Sequence, residues 1–218
     1  MKNRFERVIF DFDYTLANSS QAVVECVNFA FGRLELPCVS AEPIRRTIGL
    51  PLSETFRKLA GRQHNDRCDE FIRLFYERAE DVMVDWTVVL ESVPGTIGIL
   101  KEYGIALGIV STKFRFRIEA ILRRENLLES FEVIVGGEDV SEHKPDPEGL
   151  LKVVHLLDSA PARCLYVGDS ITDAKTAVRA QVPFAAVLSG VTTKDDFKSY
   201  PVYGIVEDLS ELPALMGC

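Results

Sequence analysis

Short β-branched and apolar runs alternate along the chain with segments whose apolar positions recur at three- and four-residue spacing. That is the rhythm of a parallel sheet covered by helices on both faces. The first run predicts a strand over residues 7–12. From 19 to 90 the pattern changes: 21–34, 52–59 and 69–84 carry helical spacing and almost no convincing strand intervenes, so this block is expected as an all-helical insert. Val93-Pro94-Gly95 then returns the chain to the first rhythm. Helix 96–103 stops at Gly104, and strand 105–110, helix 113–124 and strand 133–135 follow. Helix 148–157, strand 164–167, helix 171–180 and strand 184–187 complete the pattern. The expected architecture is α/β, a doubly wound parallel sheet built from 1–16 and 91–218, with a helical domain over 17–90. In the insert, Phe29, Phe31, Phe56, Phe71, Phe75 and Trp86 are expected as its core.

Ligands of such sheets sit outside the carboxyl ends of the strands, so the residues that follow each apolar run carry the chemistry. The first run ends on Asp11-Phe12-Asp13-Tyr14-Thr15. Side chains at i and i+2 of an extended chain point the same way, so Asp11 and Asp13 are expected to face one substrate. Ser111-Thr112-Lys113 follows Ile109-Val110 at the expected start of a helix, where hydroxyls and free N–H groups suit an anion. Lys144 stands beside Pro145 in a stiff loop after Gly136-Gly137-Glu138-Asp139. Gly168-Asp169 follows Leu165-Tyr166-Val167, with Asp173 one helical turn beyond Asp169. His143 is expected as a plain loop histidine, and Arg115, Arg117, Arg123 and Arg124 as a solvated helix face.

Composition narrows the partners. A formal charge of −8 over 218 residues, without basic runs, argues against nucleic acid and anionic membranes. Five scattered cysteines, Cys26, Cys38, Cys68, Cys164 and Cys218, form no C-x-x-C pair, which fits reduced thiols and a cytoplasmic setting. No run approaches the ~20 apolar residues of a membrane span.

Taken in order, Asp11-x-Asp13-x-Thr15, Ser111, Lys144-Pro145 and Gly168-Asp169-x3-Asp173 resemble the four motifs of the haloacid dehalogenase superfamily. Asn18-Ser19, the Gly136–Asp139 run and Lys144-Pro145-Asp146-Pro147-Glu148 are similar to its phosphoglycolate phosphatase-like branch, whose helical cap lies where this insert falls. The resemblance implies Asp11 as a nucleophile forming an aspartyl-phosphate and Asp13 as general acid and base. It also implies Mg2+ on Asp11, the Asp13 carbonyl and Asp169, with Asp173 either adding a ligand through water or holding Lys144. Ser111, Thr112, Lys113 and Lys144 would bind the phosphoryl group, and Arg45-Arg46 of the cap would face the substrate. Crowded carboxylates should raise the pKa of one member. The implied reaction is hydrolysis of a small phosphorylated metabolite; the same motifs would serve a β-phosphoglucomutase-like phosphotransferase, or a silent binding protein on this fold. Tyr14 departs from the family, which usually has glycine there, a residue free to take φ > 0.

Overall fold

The computed structural model describes residues 4–218, so residues 1–3 of the expected core segment lie outside the described residues. In chain order it runs β1 (Arg7–Phe10), β2 (Ala17–Asn18), α1 (Ser20–Arg33), α2 (Ala41–Arg45), α3 (Leu52–Ala60), α4 (Cys68–Val82), β3 (Val88–Val89), α5 (Val93–Glu102), β4 (Ala106–Val110) and α6 (Arg115–Arg124). It continues through β5 (Val133–Val135), α7 (Glu148–Leu156), β6 (Cys164–Gly168), α8 (Ile171–Ala180), β7 (Phe184–Val187), β8 (Gly204–Val206) and α9 (Leu212–Met216). The chain divides into two compact units, Met1–Ala17 with Val89–Cys218, and Asn18–Val88. Among the described residues no helix is long and apolar enough to cross a membrane.

The first unit carries the expected α/β fold. Six parallel strands form one sheet in the order β5-β4-β1-β6-β7-β8. Every residue of β6 and β7 is buried, so both faces of these strands are covered, as a parallel sheet requires. Ile9, Val110, Leu150, Val153, Tyr166 and Phe184 belong to one core cluster, each large apolar side chain contributing ~1.5–3 kcal/mol on burial. From central β1 the chain builds outward through β4 to β5, then crosses to β6 on the other side. The sheet thus has its switch point at the carboxyl ends of β1, β4 and β6, where such folds bind ligands.

The second unit is helical. Phe56 and Phe71 stack with centroids 4.7 Å apart, and Phe31 meets both edge-on at 5.9 and 5.8 Å. Phe75 joins the same cluster and Phe29 packs against it. Trp86 does not, being 36% exposed; Thr87 next to it is the buried residue, its hydroxyl donating to the Met83 carbonyl at 2.6 Å.

Two expectations about local structure are corrected, and one strand is found that the pattern did not announce. The first strand stops at Phe10 rather than residue 12, because the chain turns at once: Leu16 N–H donates to the Phe12 carbonyl at 2.9 Å and Tyr14 N–H to the Ala17 carbonyl at 2.7 Å. Helix α6 starts at Arg115, not 113, since Phe114 is extended (φ −61°, ψ 134°). Strand β8 lacks an apolar run long enough to announce itself, and only Val206 of its three residues is buried.

Candidate active site

The loop after β1 gives each of its two acids a separate lysine. Lys144 Nζ lies 2.7 Å from Asp11 Oδ1, and Lys113 Nζ lies 3.2 Å from Asp13 Oδ2; all four side chains are nearly inaccessible. Asp11 continues the β1–β6 ladder, its N–H donating to the Val167 carbonyl at 2.9 Å, and the two acids are held in addition by the turn and by these cations.

Lys144 has three donors and three neighbours: Asp11, Asp173 Oδ1 at 2.7 Å and the Tyr166 hydroxyl at 3.2 Å. Burial alone would push its pKa down, but the two carboxylates outweigh it and hold the ammonium well above the usual range. Its loop is braced from both sides. The Glu148 carboxylate accepts from Ser141 and Glu142 N–H at 2.9–3.1 Å, while Arg179 donates to the Pro145 carbonyl at 3.0 Å.

Asp173 is bonded through both carboxylate oxygens. Its Oδ1 accepts from the Tyr166 hydroxyl at 2.6 Å as well as from Lys144, and its Oδ2 accepts from the Ser170 hydroxyl and N–H at 2.5 and 3.2 Å. Ser170 in turn caps α8 by accepting from Asp173 N–H at 3.1 Å. Asp173 contacts Lys144 as one of the two roles expected for it requires. Tyr166 completes the arrangement and was hidden in the sequence by its apolar neighbours. The legible signal is that a tyrosine in a fully buried strand needs a partner for its hydroxyl.

Asp11, Asp169 and Asp173 each offer a carboxylate oxygen, all within 4.8 Å of one another. Burial first, then Lys144 in opposition and Asp173 in support, leaves the Asp11 pKa raised to about 7. The Asp169 pKa is also raised well above the usual carboxylate range, again by burial ahead of the neighbouring charges of Asp173 and Asp11. The shift expected from like-charge crowding is therefore present, with desolvation as its leading cause. Three buried acids against one ammonium, all offering oxygen and with no histidine or cysteine in the cluster, suit a hard divalent cation.

Ser111 directly follows β4 and is buried. Its N–H donates to the Val135 carbonyl at 3.0 Å, and its hydroxyl accepts from Lys113 N–H at 3.2 Å. The expectation of an open helix terminus here is corrected. Arg115 N–H, which begins α6, is already taken by the Glu138 carboxylate at 2.8 and 3.0 Å. The Gly136–Asp139 run is a brace for the Ser111–Lys113 loop: Gly137 N–H donates to the Lys113 carbonyl at 3.1 Å, and a Cβ on Gly137 would overlap the Thr112 carbonyl. Arg117 is not part of a solvated face either; it is buried with its guanidinium over the rings of Phe114 and Phe116 at 5.6 and 5.2 Å. Arg45 and Arg46 belong to the helical unit and are exposed, with Arg46 paired to Glu42 at 2.8 Å.

A fold with carboxylates at the switch point of a parallel sheet and a lysine wedged between them defines a class, and the comparisons with known proteins name it. Residues 8–187 match the family described as haloacid dehalogenase-like hydrolase. A phosphoglycolate phosphatase from Shigella boydii is 30% identical over 98% of this chain and 94% of its own. The pyrophosphatase PpaX of a Bacillus cereus strain is 30% identical over 96% and 95%. A haloacid dehalogenase-like structure from Bacteroides fragilis superposes with a TM-score of 0.92 at 41% identity, covering 95% of this chain and 99% of that one. The chain belongs to the haloacid dehalogenase-like hydrolase family and is an enzyme of its phosphatase type, similar to phosphoglycolate phosphatases and to PpaX.

Proposed function

We propose that the protein is a magnesium-dependent phosphatase that hydrolyses a small phosphorylated metabolite through a phosphoryl group carried on Asp11. The observation that carries this reading is the pairing of the buried Asp11 carboxylate with Lys144 at 2.7 Å, beside a second acid, Asp13, held by its own lysine. The Asp11 oxygen attacks phosphorus, and the ester P–O bond breaks with its electron pair moving to the leaving oxygen. Asp13 delivers a proton to that oxygen and then takes one from water. The water oxygen attacks the phosphorus of the aspartyl-phosphate, the acyl–phosphate P–O bond breaks, and Asp11 is regenerated with release of phosphate. Lys144, Lys113 and the Ser111 and Thr112 loop hold the phosphoryl oxygens as their charge rearranges. Magnesium, held by Asp11, Asp169 and the Asp13 carbonyl, would supply the positive charge that lets a dianionic ester approach a carboxylate. Residues 17–90 serve as the cap that selects the substrate, with Arg45 and Arg46 as its candidate cations.

The names of the relatives make phosphoglycolate and pyrophosphate the first compounds to assay, followed by sugar phosphates and nucleotides. Phosphate release is expected with Mg2+ and not with excess chelator. Asp11→Asn is expected to lose at least ~1,000-fold in rate, and Asp13→Asn ~100- to 10,000-fold while still binding the metal. Undiminished turnover by Asp11→Asn would end the covalent mechanism.

A further inference from the structure

Ser189 and Gly190 follow β7 and lie outside every motif that the sequence brings to attention. A Cβ built on Gly190 would stand 2.8 Å from Asp169 Cγ and 3.1 Å from its Cβ, and would overlap Oδ2 outright. The backbone of Gly190 does not adopt positive φ. A side chain there would contest space rather than backbone conformation, and what fills the space is the Asp169 carboxylate. That carboxylate is 4% exposed and makes no ion pair among the described residues, unlike Asp11, Asp13 and Asp173. The loop is fixed from the other side as well: the Ser189 hydroxyl donates a short hydrogen bond to the Tyr14 carbonyl, in the turn that follows Asp11 and Asp13. The loop after β7 thus touches both the β1 turn and the acid at the end of β6. Gly168 has the matching arrangement with Asp173, where an added Cβ would come within 2.6 Å of Asp173 Cγ.

We propose that Gly190, anchored through Ser189, is a positioning residue whose missing side chain seats the Asp169 carboxylate toward Asp11 and so sets the affinity of the site for its divalent cation. This rests on the reading of Asp169 as a cation ligand. Groups that orient a ligand from behind change metal affinity by ~10- to 100-fold when altered, and a methyl group at Gly190 leaves the carboxylate no room in its present rotamer.

The test is Mn2+ binding, used in place of Mg2+ and followed by electron paramagnetic resonance, on the full chain without substrate. Wild type is expected to bind, Asp169→Ala not to bind, and Gly190→Ala to bind at least ~10-fold more weakly. Thermal melting of the metal-free variants supplies the second readout. Gly190→Ala is expected to melt below wild type, whereas adding it to Asp169→Ala should cost far less, since the carboxylate it strikes is gone and only the Cβ contact at 3.1 Å remains. Should Gly190→Ala fail to fold, the double variant decides: melting like Asp169→Ala supports the proposal, and failure to fold overturns it. Wild-type affinity in Gly190→Ala, with Asp169→Ala unable to bind, overturns the role of Gly190 and leaves the function proposed above intact. Equal Mn2+ binding by wild type and Asp169→Ala, or none by wild type, overturns both.

Discussion

Tyr14 sits in the left-handed backbone region at φ 62°, at the position where the family usually has glycine. For an L-residue that conformation costs about 1–2 kcal/mol, while burying the ring recovers about 1.5–3 kcal/mol on the scale of large apolar side chains. Burial wins, so Tyr14→Gly should lower stability. Backbone strain still has a separable signature. Tyr14→Ala removes the ring and keeps the strain, so Tyr14→Gly should be more stable than Tyr14→Ala by about 1 kcal/mol, the reverse of the order found in a helix. Urea unfolding of the two variants measures this directly, and equal midpoints would show that the turn has relaxed out of the left-handed region. Single residues of this kind divide sharply in legibility. Asp11, Asp13, Lys144, Asp169 and Asp173 could be read from the sequence because a charged group at the end of an apolar run has no packing reason to be there. Tyr166 and Gly190 could not: one is an aromatic inside an apolar run, and the other acts through a side chain it lacks.

Elements were legible where turn residues bound a run of consistent pattern. Strands β5 and β7 and helix α8 fall where the pattern placed them, since each is an apolar-patterned run bounded by turn residues. The start of α6 was not legible, because its cap comes from outside the local sequence. Glu138, in the loop after β5, reaches across to accept from Arg115 N–H, while Asp139 of the same loop pairs with the Arg115 guanidinium at 3.2 Å. A side-chain cap is worth about 1 kcal/mol, and this one also ties the β5 loop to the one carrying Ser111. Glu138→Ala should therefore destabilise the protein by about 1 kcal/mol and raise KM through the loosened loop, with Glu138→Gln retaining most of both. A variant with unchanged stability and KM would mean that the β4 loop is held by the backbone contacts of Gly137 alone.

At the scale of the molecule, an enzyme of net charge −8 concentrates three acids around one lysine in its most buried region. Such a cluster opposes folding unless a cation joins it. The sign follows from Asp169, whose pKa burial and neighbouring carboxylates raise in the folded state. An acid with a raised folded pKa is favourable to folding at low pH, where it is protonated in both states. Its stabilising contribution is lost as pH rises from the unfolded value, 3.8, toward the folded one. At neutral pH without metal the group is therefore a burden, and Asp169→Asn, of the same shape and uncharged, should be more stable than wild type by about 0.5–2 kcal/mol. With Mg2+ the order should reverse. A cation present at 100 times its dissociation constant adds about 2.7 kcal/mol to any state that binds it, or about 5–10 °C in a chain of this size. Wild type should gain that shift and Asp169→Asn should not. Melting both proteins in chelator and in saturating Mg2+ at pH 7 gives the four numbers needed. If the two curves stay parallel, with the same metal shift in each, Asp169 is not where the cation is held. If they cross, the stability given up in the metal-free protein is the measure of how strongly the fold is built around the ion.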